Sequence, residues 1–241
     1  MLDVTYQLPI LKMMYEGERQ KSEGDLDKEL AEKLRAWREK VVEVGRFRDA
    51  LGEAVDERIL NTVVGLNMLE IPTIASCEGH VDRGRAAPWV DIQAPNRPKE
   101  RFFDEDKIVE ATARKYGVPV EDVRRDRHHE AYVEATNTAC DNGETPEFQN
   151  WQKENDALQK RVVDLLERFY RNRLVAESTR IQVDPSAEGF RMHNGGEDYF
   201  RNSRRILNDE ERRTLADHLL QYQKEMDAFS EFLREKYFDS Q

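Results

Sequence analysis

Three long stretches of this chain repeat apolar residues at three- and four-residue intervals, and that spacing limits what the chain can fold into. Between Asp25 and Ala50, Leu26, Leu30, Leu34, Trp37, Val41 and Val44 share one helical face. Between Glu147 and Val175 the stripe is Trp151, Leu158, Val162, Leu165 and Phe169. A third helix is expected from Asn208 to about Phe238. Asn208 and Glu211 are spaced as a capping pair, and Leu215, Leu219, Tyr222, Met226, Phe229 and Leu233 point inward. Charged residues make up 36% of the chain and hydrophobic ones 38%. Amphipathic helices with charged outer faces account for that low apolar share better than disorder does.

Shorter elements fill the gaps. Val55 to Leu69 predicts a helix on Val55, Ile59, Val63 and Leu66, closed by Pro72, which cannot continue a helix. Lys99 to Tyr116 and Val120 to Thr138 are predicted helices, broken at Gly117-Val118-Pro119. The first twenty residues are ambiguous; Leu8 to Leu11 with Met13, Met14 and Tyr15 fit an arm packed on the core.

Four strand-like segments come in two pairs. Thr73–Cys77 and Trp89–Gln93 flank a loop bracketed by Gly79 and Gly84, and residues 179–184 and 189–193 form a hairpin pattern around Pro185 and Gly189. An isolated hairpin is marginal in water, so the pairs are expected to join. The expected fold is α+β: a small, mainly antiparallel sheet of about four strands, covered on one face by long amphipathic helices. The 241 residues read as a single α+β domain with no internal boundary.

Side chains alternate across a strand. Ile181, Val183, Phe190, Met192, Val90 and Ile92 would face the core. Trp89, Asp91, Gln93, Arg180, Gln182, Arg191 and His193 would face away, beside a loop carrying Cys77, Glu78, His80, Asp82, Arg83 and Arg85. From this face we expect Arg83, Arg85, Arg180 and Arg191 to take an anionic group, with Glu78 lining the site. Trp89 is expected to stack on a ring, and His80, Asp91 and His193 to handle protons. Cys77 is a candidate nucleophile, which would need a lowered thiol pKa. Cys77 and His80 also have a spacing that zinc accepts. A structural zinc site wants four ligands, however, and neither a CxxC nor an HxxxH pair accompanies them, so no metal ligand is assigned. His128 and His129 are neighbours on a predicted helix and diverge; His218 reads as helix packing.

The net charge of -11 argues against a broad basic surface for nucleic acid, though not against a local basic pocket. Two distant cysteines make no disulfide framework, the start has no signal-peptide pattern, and no apolar run approaches a membrane span. A cytoplasmic location and no membrane partner are the expectations. Three functional readings stay open: an enzyme or binding protein for a small anionic or nucleotide-like ligand, a helix-mediated assembly protein forming a homo-oligomer, and an RNA-modification protein. The residues name no cofactor, and they leave open whether the site is catalytic.

The order helix, LNMLEIPTIASCEGH, PWVDI, TRIQVDPSAEGFRMH resembles a group of bacterial proteins of no assigned activity. A shorter stretch is similar to the wybutosine-synthesis tRNA methyltransferase family, in which an Asn- and Leu-rich helix leads into a strand ending Ser-Cys-Ser-Gly-Arg. Asn67, Thr73, Ser76, Cys77 and Gly79 match that pattern, while Glu78 and His80 depart from it. The resemblance implies an α+β fold, S-adenosylmethionine and tRNA.

Overall fold

In a computed structural model of the chain, residues 23–48, 52–186, 188–201 and 206–239 are described. The expected N-terminal arm and the Leu26 side chain lie outside them.

The two strand pairs meet. Strands β1 (Thr73–Cys77), β2 (Trp89–Ile92), β3 (Gln182–Pro185) and β4 (Phe190–His193) form one antiparallel sheet in the order β1-β2-β4-β3. The junction is β2 against β4, with Trp89 opposite His193 and Asp91 opposite Arg191. Around the sheet run helices α1 (Glu23–Arg46), α2 (Glu57–Met68), α3 (Glu105–Tyr116), α4 (Val120–Arg125), α5 (Glu130–Asp141), α6 (Pro146–Tyr170) and α7 (Asp209–Asp239). The fold is α+β.

Val90, Ile92, Phe190 and Met192 line one face of the sheet and are buried against α2 (Ile59, Val63, Leu66), α6 (Trp151, Val162, Phe169) and α7 (Met226, Phe229, Leu233). Each such large apolar side chain contributes about 1.5–3 kcal/mol on burial. The α2–α7 approach is close: a Cβ on Gly65 would lie 2.9 Å from Leu233 Cβ. Trp37 of α1 packs against Tyr237 and Phe238 near the end of α7. The stripes of α6 and α7 are therefore largely buried within the chain. Asn155, buried on α6, accepts the Ala94 N–H at 2.7 Å, and Trp151 Nε1 donates to Ala94 O at 3.0 Å, fixing the chain just after β2 to α6.

Capping decides several boundaries. The expected box at α7 forms reciprocally: Asn208 N donates to Glu211 Oε2 at 3.0 Å, and Glu211 N to Asn208 Oδ1 at 2.9 Å. Thr145 Oγ1 caps α6 by accepting from Phe148 N, with Pro146 in the first turn. Residues 99–104, expected to be helical, instead form a turn whose Arg101 and Phe102 N–H groups donate to Glu105 Oε2. The helix expected over 120–138 is two helices. His128 and His129 fall in the break, and His129 Nδ1 caps α5 by accepting from Ala131 N at 3.0 Å. Helices α3 to α5 surround a small separate core of Val109, Ala113, Val123, Ala131 and Ala135. The hairpin starts later than expected: residues 177–179 form a 3-10 turn, Ile181 N donates to Tyr170 Oη, and β3 begins at Gln182.

Candidate functional site

The second face of the sheet carries the polar residues, as alternation required. Register sets them in two rows: Cys77, Trp89, His193 and Gln182 in one, Ala75, Asp91, Arg191 and Asp184 in the other. Strands lie about 4.8 Å apart, so Cys77 and His193 are separated by roughly 10 Å along their row. That distance divides the face into two corners, each beyond hydrogen-bond reach of the other.

The β2–β4 corner is closed. Asp91 and Arg191 are directly opposed, and Nε and Nη2 on one edge of the guanidinium donate to the two carboxylate oxygens at 2.5 Å. Arg191 also donates to Tyr199 Oη at 2.9 Å and lies 4.0 Å from the Trp89 ring centroid. The Asp91 contact, and then Tyr199, raise the Arg191 pKa further. A short 3-10 helix, Gly196–Phe200, lays Tyr199 on the sheet, stacked on the His193 ring at 4.0 Å between centroids. His193 is 3% exposed; its Nε2 meets Asp184 Oδ2 at 2.9 Å and its Nδ1 faces Asn194 O. The expected open polar face is thus covered, and Asp184, not Asp91, orients His193. The reason is register: Asp91 faces Arg191 across the strands, and a bidentate pair holds it there. Trp89 is occupied by Arg191 and by the cluster of Ala87, Tyr199 and Tyr222, so it offers no bare ring for a base. Arg180 lies outside β3, exposed, its guanidinium 4.3 Å from the Tyr170 ring centroid.

The β1 corner differs. Past Cys77 the chain turns at Gly79, whose φ is +84° and where a Cβ would come within 2.7 Å of Ala87 C. Only glycine takes that conformation without strain. His80 N donates to Arg85 O at 2.8 Å, closing the loop. The turn brings the Cys77 and His80 side chains together and against Asp56, the residue before α2: one ligand atom from each, all within 4.8 Å of one another. His80 Nε2 is 3.8 Å from Asp56 Oδ2. Asp56 and Glu78 exchange capping duties. Asp56 Oδ2 accepts from Glu78 N at 3.0 Å, while Glu78 Oε2 accepts from Arg58 N in the first turn of α2 at 3.2 Å. Glu78, expected to line a ligand site, is therefore a helix cap. Arg58 Nη1 donates to Gln223 Oε1, and Gln223 Nε2 donates to Glu78 O, so α7 braces the same turn.

Burial pushes the Cys77 thiol pKa up, only partly offset by the Gly79 N–H, and the Asp56 carboxylate pushes it higher. This is the reverse of the lowered value a nucleophile needs, because burial disfavours the thiolate and the Asp56 and Glu78 carboxylates disfavour it further. Arg85 lies over Tyr199 and Phe200, 5.1 and 4.6 Å from their centroids, and Arg83 is on the exposed loop.

A third polar group was not expected. Asp198 accepts from Tyr222 Oη at 2.8 Å and from Arg201 at 3.0 Å, and meets His218 Nδ1 at 2.7 Å. His218 is thus a hydrogen-bond partner of Asp198 and more than packing. Burial alone would raise the Asp198 carboxyl, but its hydrogen bonds to His218, Tyr222 and Arg201 outweigh that and hold it below the usual carboxylate range. Of the missed residues, Asp56 had a visible signal: an Asp immediately before an apolar helical repeat is an N-cap pattern. Asp184, Tyr199 and Asp198 had none, since their roles arise from register and from the 3-10 turn.

No protein-family model, no curated protein and no solved structure matches this chain. Two residues behind the methyltransferase resemblance, Asn67 and Thr73, are hydrogen-bonded at 2.9 Å and join α2 to β1.

Proposed function

We propose that this chain binds a small anionic compound at the loop from Cys77 to Arg85. The observation that carries the reading is the His80–Arg85 backbone bond, which closes a loop that presents Arg85 over the Tyr199 and Phe200 rings and carries His80 of the Asp56–Cys77–His80 cluster. A guanidinium fork suits a phosphate or carboxylate. Arg83, on the same exposed loop, adds positive charge, which suits a local basic site on an acidic protein. In this reading His80 handles a proton on such a ligand, because His193 is buried behind Tyr199. The ligand class is narrower than the sequence implied, because Trp89 is already engaged and a nucleobase loses its stacking partner.

Calorimetric titration with inorganic phosphate and with a small dicarboxylate, at two salt concentrations and with chelator present, tests this. Saturable binding that Arg85→Ala weakens at least tenfold, and that Arg180→Ala leaves unchanged, is the expected result. Equal binding by wild type and Arg85→Ala, or no binding at low salt, overturns it.

A further inference from the structure

We infer that Asp56, Cys77 and His80 form a binding site for a divalent transition-metal cation of borderline softness, zinc above all. The sequence assigned no metal here because it sought ligands by spacing along the chain. The third ligand comes from another element, the residue that opens α2.

The donor set is one carboxylate oxygen, one sulfur and one imidazole nitrogen, each of a type that Zn²⁺ takes. Metal–ligand bonds of about 2.0–2.3 Å in a tetrahedron put ligand atoms roughly 3.4–3.8 Å apart. His80 Nε2 and Asp56 Oδ2 are at 3.8 Å, and the widest separation in the cluster is no more than 4.8 Å. Closure therefore asks for movements of about 1 Å, which small side-chain rotations supply. Among the described residues no other three His, Cys, Asp or Glu ligand atoms come together in this way.

The surroundings are those of a braced site. The Glu78 N–H orients the Asp56 carboxylate, the Gly79 turn fixes the separation of Cys77 and His80, and Gln223 ties the turn to α7. All three ligands are half-buried, so the cluster is dry enough to bind and open enough to load. A dication bound there would displace the thiol proton and offset the repulsion between the resulting thiolate and Asp56. Three protein ligands leave the fourth tetrahedral position for water or for an oxygen of a bound anion, the arrangement of catalytic zinc sites. The inference shares His80 with the anion reading, but the phosphate titration in chelator reads Arg85 and the cobalt titration reads Cys77, so each can fail without the other.

The test is a Co²⁺ titration of the full chain after chelator treatment. One equivalent is expected to bind with a thiolate-to-cobalt charge-transfer band in the near ultraviolet, and Zn²⁺ is expected to displace it. Cys77→Ser abolishes the band, His80→Ala and Asp56→Asn weaken binding at least tenfold, and Cys140→Ser, which alters the other, exposed cysteine, changes nothing. Zn²⁺ at about 100 times its Kd is expected to raise the wild-type Tm by roughly 5–10 °C, and to leave Cys77→Ser nearly unmoved. Without metal, His80→Ala melts close to wild type, which separates ligand loss from unfolding. No cobalt–thiolate band, a band that survives Cys77→Ser, or a band lost in Cys140→Ser would each overturn the assignment.

Discussion

The two corners of one sheet face hold similar residue types in opposite conditions. At β2–β4, Asp91, Arg191, Tyr199 and His193 bond to one another and to Asp184, under a 3-10 turn that keeps His193 buried. At β1, Asp56, Cys77 and His80 gather three potential ligand atoms beside a loop that carries arginines. The difference teaches that a polar cluster on a sheet face does not by itself mark a site. Where opposite charges fall in register they neutralise each other and become structure. Where the neighbours of a thiol are acidic, its environment suits a cation better than an electrophile.

The comparison breaks most sharply at Arg191. Arg191→Leu leaves the Asp91 carboxylate, 15% exposed, without its partner. We expect a loss of roughly 2–3 kcal/mol, below the range for fully buried pairs because both ends keep some solvent contact. At this chain length that is a Tm drop of about 5–10 °C. Phosphate and cobalt binding are expected to persist in the folded fraction. Abolished binding with an unchanged Tm would make this corner the site and refute the division.

Gly79→Ala tests the other corner. It forces a left-handed backbone on alanine and drives a Cβ against the Ala87 backbone. Thermal melts are expected to show a loss of about 1–3 kcal/mol, accompanied by loss of cobalt affinity, because the same turn sets the Cys77–His80 geometry. Unchanged affinity would show that the turn does not position the ligands.

The smallest effect is expected in acid. The Asp198 carboxyl is held below its ordinary value, with His218, Tyr222 and Arg201 facing it. A depressed carboxyl contributes stability above its unfolded pKa and loses it as pH falls through the folded value. The stability gap between wild type and Asp198→Asn, followed by urea unfolding, should therefore be widest near neutrality and narrow below about pH 5. A gap that widens in acid would contradict the pairing.

How much of this was legible beforehand differs from element to element. The α2 stripe Ile59, Val63 and Leu66 and the α7 stripe from Leu215 to Leu233 are buried where periodicity put them, because a repeat of 3.6 leaves a helix one way to face a core. Strand alternation placed Val90 and Ile92 inward and Asp91 outward for the same kind of reason. Helix starts were less legible: Lys99 and the His128–His129 pair lie in turns fixed by Glu105 and Asp126 side chains, contacts that compete with helix locally. The Cys77–His80 pair was visible as a candidate and Asp56 only as the start of a helix, while Arg180 and Trp89, expected at a ligand, pack with Tyr170 and Arg191.

The sequence by itself determined the long helices, the strand centres and which way their apolar faces turn, since these follow from the period of the chain. Only the tertiary structure decided which polar residues meet. That depended on the β2–β4 register, on the turn that lays Tyr199 over His193, and on the packing that brings the start of α2 to the end of β1. Hydrophobic burial needs only the correct face of an element, whereas ion pairs and metal ligands need atoms placed within about an ångström.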